Sequence, residues 1–479
     1  MLRHTPPRLL LFNAPVDYHT DALYPTPSPP GAPLVDPLDR QPTGRKRPRF
    51  FYGWRIVAAS VATNTLMSAA YFQGFGALIL PMESHFGWSR TISGIALALR
   101  NVETGLVSPL IGFLLIRITA RQMVFWSGLI MGIGMIGLGL INGLVTFFIF
   151  FVIASLGASG ASHAVTWPVL IARWFRRKRG LAMGFAVMGP IFGSPFLILN
   201  TSIEQSIGHN GWRWIFIGYG LIIIVGVSLI ALVVRNSPEE HGLYPDGDVP
   251  EDEEQEAKAR SVARADAGFT LREVLHTREF WVLLSYMGGL FIVNSAIHGH
   301  QIPYFVNDLG FSPTSAAIGV TLVFTLSAFG RIGGGYLMDH GDYRIILFIM
   351  AVVMGLSVLY LQLAEPTSVF TALPFIAMFG VGFGSMIPIR GTLGGLMFGL
   401  RSLGPVIGLL QGGAVLAGMI GPLYLGVMFT INGSYREAMW GLVVIAFAMA
   451  PLAFLMSSPR TLRERKAQAG EAKASREAS

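Results

Sequence analysis

The chain has 479 residues, 52% of them hydrophobic and 13% charged, with 57 glycines, 28 prolines and no cysteine. Soluble domains carry about 25% charged residues, so a chain with mean hydropathy +0.56 must turn much of its apolar surface to lipid. Absence of cysteine excludes a disulfide scaffold, thiol catalysis and cysteine-ligated metal, while the net charge of +8 points to nucleic acid only until its placement is read.

Residues 1–49 hold eleven of the 28 prolines and are expected to form a disordered cytoplasmic tail ending in the basic anchor RKRPR. Leu9 to Phe12 is too short an apolar core for a signal peptide. A membrane crossing needs about 20 mostly apolar residues. Twelve such spans follow, at 55–81, 91–116, 122–142, 145–172, 180–203, 213–234, 280–303, 313–338, 344–363, 370–397, 403–431 and 436–457. All are expected to be helices, because lone strands in lipid leave backbone groups unpaired.

The spans carry few polar groups, and each asks for a reason. Span 1 offers Tyr71 and Gln73 as substrate contacts; span 2 carries Arg100 and Glu103 one turn apart, where they can pair or serve proton coupling and gating. His163 in span 4 is either a helix–helix contact or a proton site. Gly180, Gly184, Gly189 and Gly193 bare one stripe of span 5 for close packing or for a mobile surface, and Pro190 and Pro195 predict a bend. The polar stretch 236–278, with EDEEQE from Glu251, divides a six-helix bundle over 50–235 from a second over 279–457. Span 7 brings Asn294 as a substrate contact, with His298 and His300 near its outer end as gating or proton groups. Arg331 lies eight residues before Asp339 in span 8, about 12 Å above its inner end, and Arg390 lies well inside span 10. Residues 458–479 read as a charged cytoplasmic tail.

The basic residues fix an orientation. Arg117, Arg121, Arg173, Arg176, Arg177, Lys178, Arg179, Arg344, Arg401 and the tail from Arg460 fall on one side, against Arg90, Arg213 and Arg436 on the other. Both termini are therefore expected in the cytoplasm of a cell with this protein in its inner membrane. The +8 is thus an address for topology, and no nucleic-acid partner is expected.

The halves repeat. Gly112, Leu114 and Arg121 recur as Gly335, Leu337 and Arg344 at an offset of 223 residues, and Gly180 and Gly184 recur as Gly404 and Gly408 at 224. This is the mark of two pseudo-symmetric six-helix bundles. The segments ending spans 2 and 8 resemble the G-x-L-x-D-R-x-G-R-R loop of the major facilitator superfamily, over about 50–460. The second copy keeps Asp339; the first has Ile116 there. Phe51-Tyr-Gly-Trp54, Phe86-Gly-Trp-Ser-Arg90, Arg173 to Gly184, Pro238 to Gly247, Phe269 to Trp281 and Phe398 to Gly404 together resemble its bacterial monocarboxylate porter and oxalate/formate antiporter group. The resemblance implies an arginine in span 8 that holds the substrate carboxylate, matching Gly330-Arg331-Ile-Gly-Gly-Gly335. It departs at Ser327, where animal relatives have aspartate, in the absence of a span-1 lysine, and at Ala414, near which the oxalate exchanger has its second cation, a lysine in span 11.

The residues themselves agree. Three deep arginines against one deep glutamate favour an anion, and a guanidinium matches a carboxylate bidentately. No G-x-x-x-x-G-K-[ST] sequence serves ATP, and no metal or nucleophile motif appears, so the chain is expected to be no enzyme and to need no cofactor. The reading is an all-α secondary transporter of a small carboxylate, with a proton or counter-anion, acting as a monomer in the lipid bilayer. Asp339 and Arg344, with Arg173 to Arg179, are expected to form its inner gate. Exchange, export of amphipathic compounds and a non-transporting metabolite sensor are the rivals.

Overall fold

A computed structural model of the chain describes residues 51–162, 164–193, 195–208, 210–248, 268–466 and 468. The proline-rich tail, the EDEEQE run, the end of the C-terminal tail and His163 lie outside the described residues.

Ten of the described helices are long and apolar enough to cross a membrane. They are helix 2 (Arg90–Arg117), helix 3 (Ala120–Gly139), helix 4 (Leu144–Ala161 and Thr166–Trp174), helix 6 (Gly211–Val233), helix 7 (Arg278–Asn307), helix 8 (Pro313–His340), helix 9 (Tyr343–Ala364), helix 10 (Leu373–Phe398), helix 11 (Leu403–Gly418 and Ile420–Asn432) and helix 12 (Arg436–Met449, ending in the 3-10 turn Ala450–Leu455). Two broken crossings complete the twelve. Helix 1 runs Gly53–Met67, widens into one π turn at Ser68–Phe72 and resumes as Gly74–Phe86. Helix 5 is three short pieces, Arg179–Ala186, Gly189–Gly193 and Phe196–Ile207.

Both breaks have physical causes. The π turn frees the Ala69 carbonyl, which accepts a hydrogen bond from Asn200 Nδ2 of helix 5 at 3.3 Å. Tyr219 in turn holds Asn200 by its hydroxyl at 2.7 Å. A Cβ on Gly74 would lie 1.8 Å from that same carbonyl oxygen, so the residue closing the turn must be glycine. In helix 5, Pro190 has no N–H for the carbonyl of Ala186, and the helix stops there.

The buried apolar side chains form two clusters. One spans Ile56 to Val234 and takes in Leu403 and Ile407; the other runs from Phe269 to Leu462. In the first, helix 3 packs on helices 4 and 6; in the second, helix 10 packs on helices 8 and 9. The halves meet where helix 5 lies on helix 8 and helix 2 on helix 11. Glycine lets those backbones approach. Gly180 and Gly184 abut Gly335 and Arg331, while Gly189 and Gly193 abut Asn64 and Ser68 of helix 1. The stripe read along span 5 therefore serves two partners, one in each half.

Candidate functional site

Between the halves lies a row of main-chain carbonyls exposed by the break in helix 5. Ala186 O takes a hydrogen bond from Ser60 Oγ at 3.1 Å, Gly189 O from Thr65 Oγ1 at 3.2 Å and Pro190 O from Gln73 Nε2 at 3.3 Å, all from helix 1. Val187 O is taken from the opposite half. Arg331 of helix 8, 2% exposed, donates to it from Nη1 at 2.6 Å. The guanidinium lies 6.0 Å from the centre of the Phe383 ring, and its Nε has no partner.

Arg390 repeats the arrangement on helix 10. It is 4% exposed, and its Nη2 donates to Ala164 O at 3.2 Å, in the interruption of helix 4. Its Nε is likewise without a partner. Each deep arginine of the second half thus crosses to a carbonyl at a helix break in the first. Among the described residues neither is paired with a carboxylate.

Asp339, on the last turn of helix 8, accepts the N–H of Gly180 at 2.7 Å and of Leu181 at 2.8 Å. These are orphan donors of the first turn of helix 5, where the helix dipole also favours negative charge. Cβ atoms on Gly180 and Gly335 would come within 2.1 and 2.2 Å of each other's carbonyl oxygens. The backbones are therefore in direct contact at the face of the bundle that carries the start of helix 1 and the end of helix 12.

The sequence reading took Arg179 only as the last residue of the basic stretch in the inner gate, and missed that it is buried with partners of its own. It is 6% exposed, donates to Phe175 O and Ala172 O at 3.1 Å each, and packs its guanidinium against Gly395 of helix 10. The signal available was position: a cation just past the end of helix 4, where carbonyls lack partners.

Several expected partnerships differ. No ion pair joins Arg100 to Glu103 among the described residues. Glu103 Oε2 instead accepts the hydroxyls of Ser155 at 2.6 Å and Ser159 at 3.0 Å from helix 4, and of Thr104 at 3.4 Å. The i,i+3 spacing put both residues on one face, but helix 4 offers donors already in place. Arg100 lies over the rings of Tyr71 and Phe72, 5.8 Å from each centre. Tyr71 is fully buried in the π turn against Phe75 and Phe151.

Arg344 does not reach the helix 5 contact. Its main-chain N–H goes to Asp342 and its Nε to Tyr343, so it caps its own loop. His300 bridges helix 7 to Pro422 O at 3.0 Å and Tyr435 Oη at 3.3 Å, a packing tie to helix 11 and the start of helix 12. His298 lies among Phe324, Phe379 and Phe383, one turn from Asn294, whose Oδ1 has no partner.

Known proteins can now be set beside this geometry. The family model of the Major Facilitator Superfamily matches residues 61–389 and again 294–478. The oxalate:formate antiporter of Oxalobacter formigenes is 25% identical over 358 residues, covering 73% of this chain and 77% of that one. Monocarboxylate transporter 11 of Mus musculus is 24% identical over 431 residues, covering 86% and 88%. Among solved structures, the proton:xylose symporter XylE aligns with TM-score 0.68 at 15% identity, over 85% of this chain and 96% of that one. FucP in the outward conformation aligns with TM-score 0.64 at 16% identity, over 84% and 98%. At such identities these structures bear on the fold alone.

Proposed function

The chain belongs to the Major Facilitator Superfamily, a family of transporters rather than enzymes, and from that premise we propose that it carries a small carboxylate, with a proton, by alternating access across the cytoplasmic membrane. The face bearing the start of helix 1 and the end of helix 12 is the cytoplasmic one, supported by the excess of Lys and Arg on its loops. That face is sealed at Gly180–Gly335 and Asp339, so the molecule is closed toward the cytoplasm on this reading.

One observation carries the reading: Arg331 is a buried cation whose nearest acceptor is a neutral carbonyl of the other half. A charge mid-bilayer costs at least about 2.5–3.5 kcal/mol on the lenient insertion scale, and a carbonyl dipole offsets little of it. A substrate carboxylate is the better partner, since charge-assisted bonds are roughly twice as strong as neutral ones. The mechanism follows. The arriving anion takes Arg331 from Val187 O and so removes one of the bonds that hold helix 8 to helix 5. Binding and loosening of the cytoplasmic seam are then a single event, which is what a carrier needs. A proton taken up with the anion leaves the loaded carrier electrically neutral against a membrane potential worth about 2.3 kcal/mol per 100 mV.

Uptake of labelled short carboxylates into proteoliposomes under an imposed pH gradient tests this. Arg331→Gln is expected to abolish uptake and Arg331→Lys to leave a small residue, because an ammonium keeps the charge and loses the fork. Transport by both variants at the wild-type rate would remove the anchor. Arg390, the second buried arginine, favours one further reading: a dicarboxylate held at both ends and moved by exchange.

A further inference from the structure

Resting on the proton-coupled reading above, we infer that His298 is the group that takes on the transported proton, beside Phe383, the ring over which Arg331 lies. His298 Nδ1 lies 3.0 Å from the main-chain oxygen of Asn294. A carbonyl has no hydrogen to give, so Nδ1 carries one and the lone pair of the neutral ring is on Nε2. That Nε2 is covered and has no partner. Three rings enclose the imidazole: Phe324 of helix 8 at 5.0 Å, Phe379 of helix 10 at 5.4 Å and Phe383 at 4.6 Å between centres. Phe383 also contacts the Arg331 guanidinium. One aromatic side chain thus touches both the anion anchor and the imidazole.

The charges around the ring give it a direction of coupling. From helix 8 the charged group is Arg331; from helix 10 it is Arg390, two turns past Phe383. On helix 7 itself the neighbours are the neutral amides of Asn294 and Gln301, whose buried Oδ1, and Nε2 and Oε1, also lack partners, while His300 is tied to Pro422 and Tyr435. No carboxylate among the described residues contacts the ring. An imidazolium is therefore opposed by Arg331 in the empty carrier and relieved once a carboxylate neutralises Arg331. By linkage the proton must favour the anion to the same degree. The step balances simply: Nε2 takes H⁺ from hydronium on the open side, leaving water, and returns H⁺ to water when the anion departs on the other side.

The experiment compares two readouts in proteoliposomes. A one-to-one symporter under a pH gradient of one unit accumulates a monocarboxylate about tenfold. His298→Gln and His298→Asn are expected to accumulate about onefold while still exchanging labelled for unlabelled carboxylate. Accumulation by both variants at the wild-type ratio overturns the assignment and leaves Arg331 untouched. Exchange without a pH effect in the wild type overturns the coupled reading itself. Loss of accumulation in Glu103→Gln, with His298→Gln unaffected, moves the proton to helix 2 and also overturns it. Should neither histidine variant fold, ¹³C-histidine wild-type protein is read by infrared spectroscopy: one new imidazolium on adding carboxylate is required, and none refutes the inference.

Discussion

The duplicated scaffold closes the face that carries Asp339 along two seams, and they are not equivalent. Where helix 5 meets helix 8, backbone contact at Gly180 and Gly335 is reinforced by Asp339 on two N–H groups and by Arg331 on Val187 O. Where helix 2 meets helix 11, Gly112 abuts Gly404, Ser108 abuts Gly408 and Gly105 abuts Gly412, with Pro109 and Leu416 packed alongside. At the position matching the missing acid stands Ile116, 63% exposed. The repeat copied the close packing to both seams but the charges to one. On the proposed mechanism the 5/8 seam is the latch that an anion opens, and the 2/11 seam a sliding surface that follows.

The largest expected effect tests whether both seams must close. Gly335→Val would place its side chain into Gly180 O, and overpacking of this kind costs about 1–3 kcal/mol. It should hold that face open and reduce uptake more than tenfold. Gly112→Val should hold the other seam open too, yet leave Asp339 and Arg331 in register. Because the chain has no cysteine, single cysteines introduced on each seam report the opening by maleimide labelling. Equal labelling of both seams in both variants would mean that the halves move as rigid bodies and that the division of labour is wrong.

A smaller change acts on the latch alone. Asp339→Asn keeps the size and removes the charge that caps helix 5, a loss of about 1–2 kcal/mol that shifts the closed-to-open ratio by roughly 5–30-fold. Labelling on the cytoplasmic side should rise accordingly, without any loss of fold. The reciprocal variant Ile116→Asp supplies the other seam with the acid it lacks. If the pseudo-symmetry is good, the new carboxylate meets the start of helix 11 and slows transport by a few-fold, for about 0.3–1 kcal/mol of dipole attraction. An accelerated Ile116→Asp would show that the start of helix 11 offers no such site.

What the sequence made legible was hydropathy, glycine and proline. Twelve crossings, the bend in helix 5 and the inward position of Arg331 follow from periods and punctuation. The partners of the charges did not. Arg331, Arg390 and Asp339 all bond to main-chain atoms, and every residue has a carbonyl and nearly every one an N–H. Only the helix breaks decide which of them are free. The break in helix 1 was hidden for a similar reason: no proline marks Ser68–Phe72, and the turn is held open by Asn200, more than a hundred residues away. Arg100 and Glu103 failed in the opposite sense, since a correct local spacing was overridden by two serines of helix 4.

The linker ends extend the contrast to the membrane surface, where the expected effect is smallest. Its near end sits beside the latch: Asp246 accepts the N–H groups of Arg176 at 2.9 Å and Arg177 at 2.8 Å, and Asp248 pairs with Arg177 at 2.6 Å. Its far end sits beside the sliding seam, where Phe269 donates its N–H to Phe398 O and accepts the Ser402 hydroxyl, and Glu273 pairs with Lys466 at 2.9 Å. Burial tends to raise the Glu273 carboxyl, but Lys466 and the Thr270 N–H outweigh it and hold the group below the usual carboxylate range. A depressed value in the folded state means that this pin is at full strength above that range and is lost only as pH falls through it. A spin label at Gln468→Cys should therefore keep the same mobility from pH 8 to pH 5 and loosen only in stronger acid. Glu273→Gln should loosen it already at pH 7, with less than about 1 kcal/mol lost in stability because the pair is half exposed. Loosening of the wild-type label between pH 8 and pH 5 would mean that a group other than Glu273 holds the tail to the sliding seam.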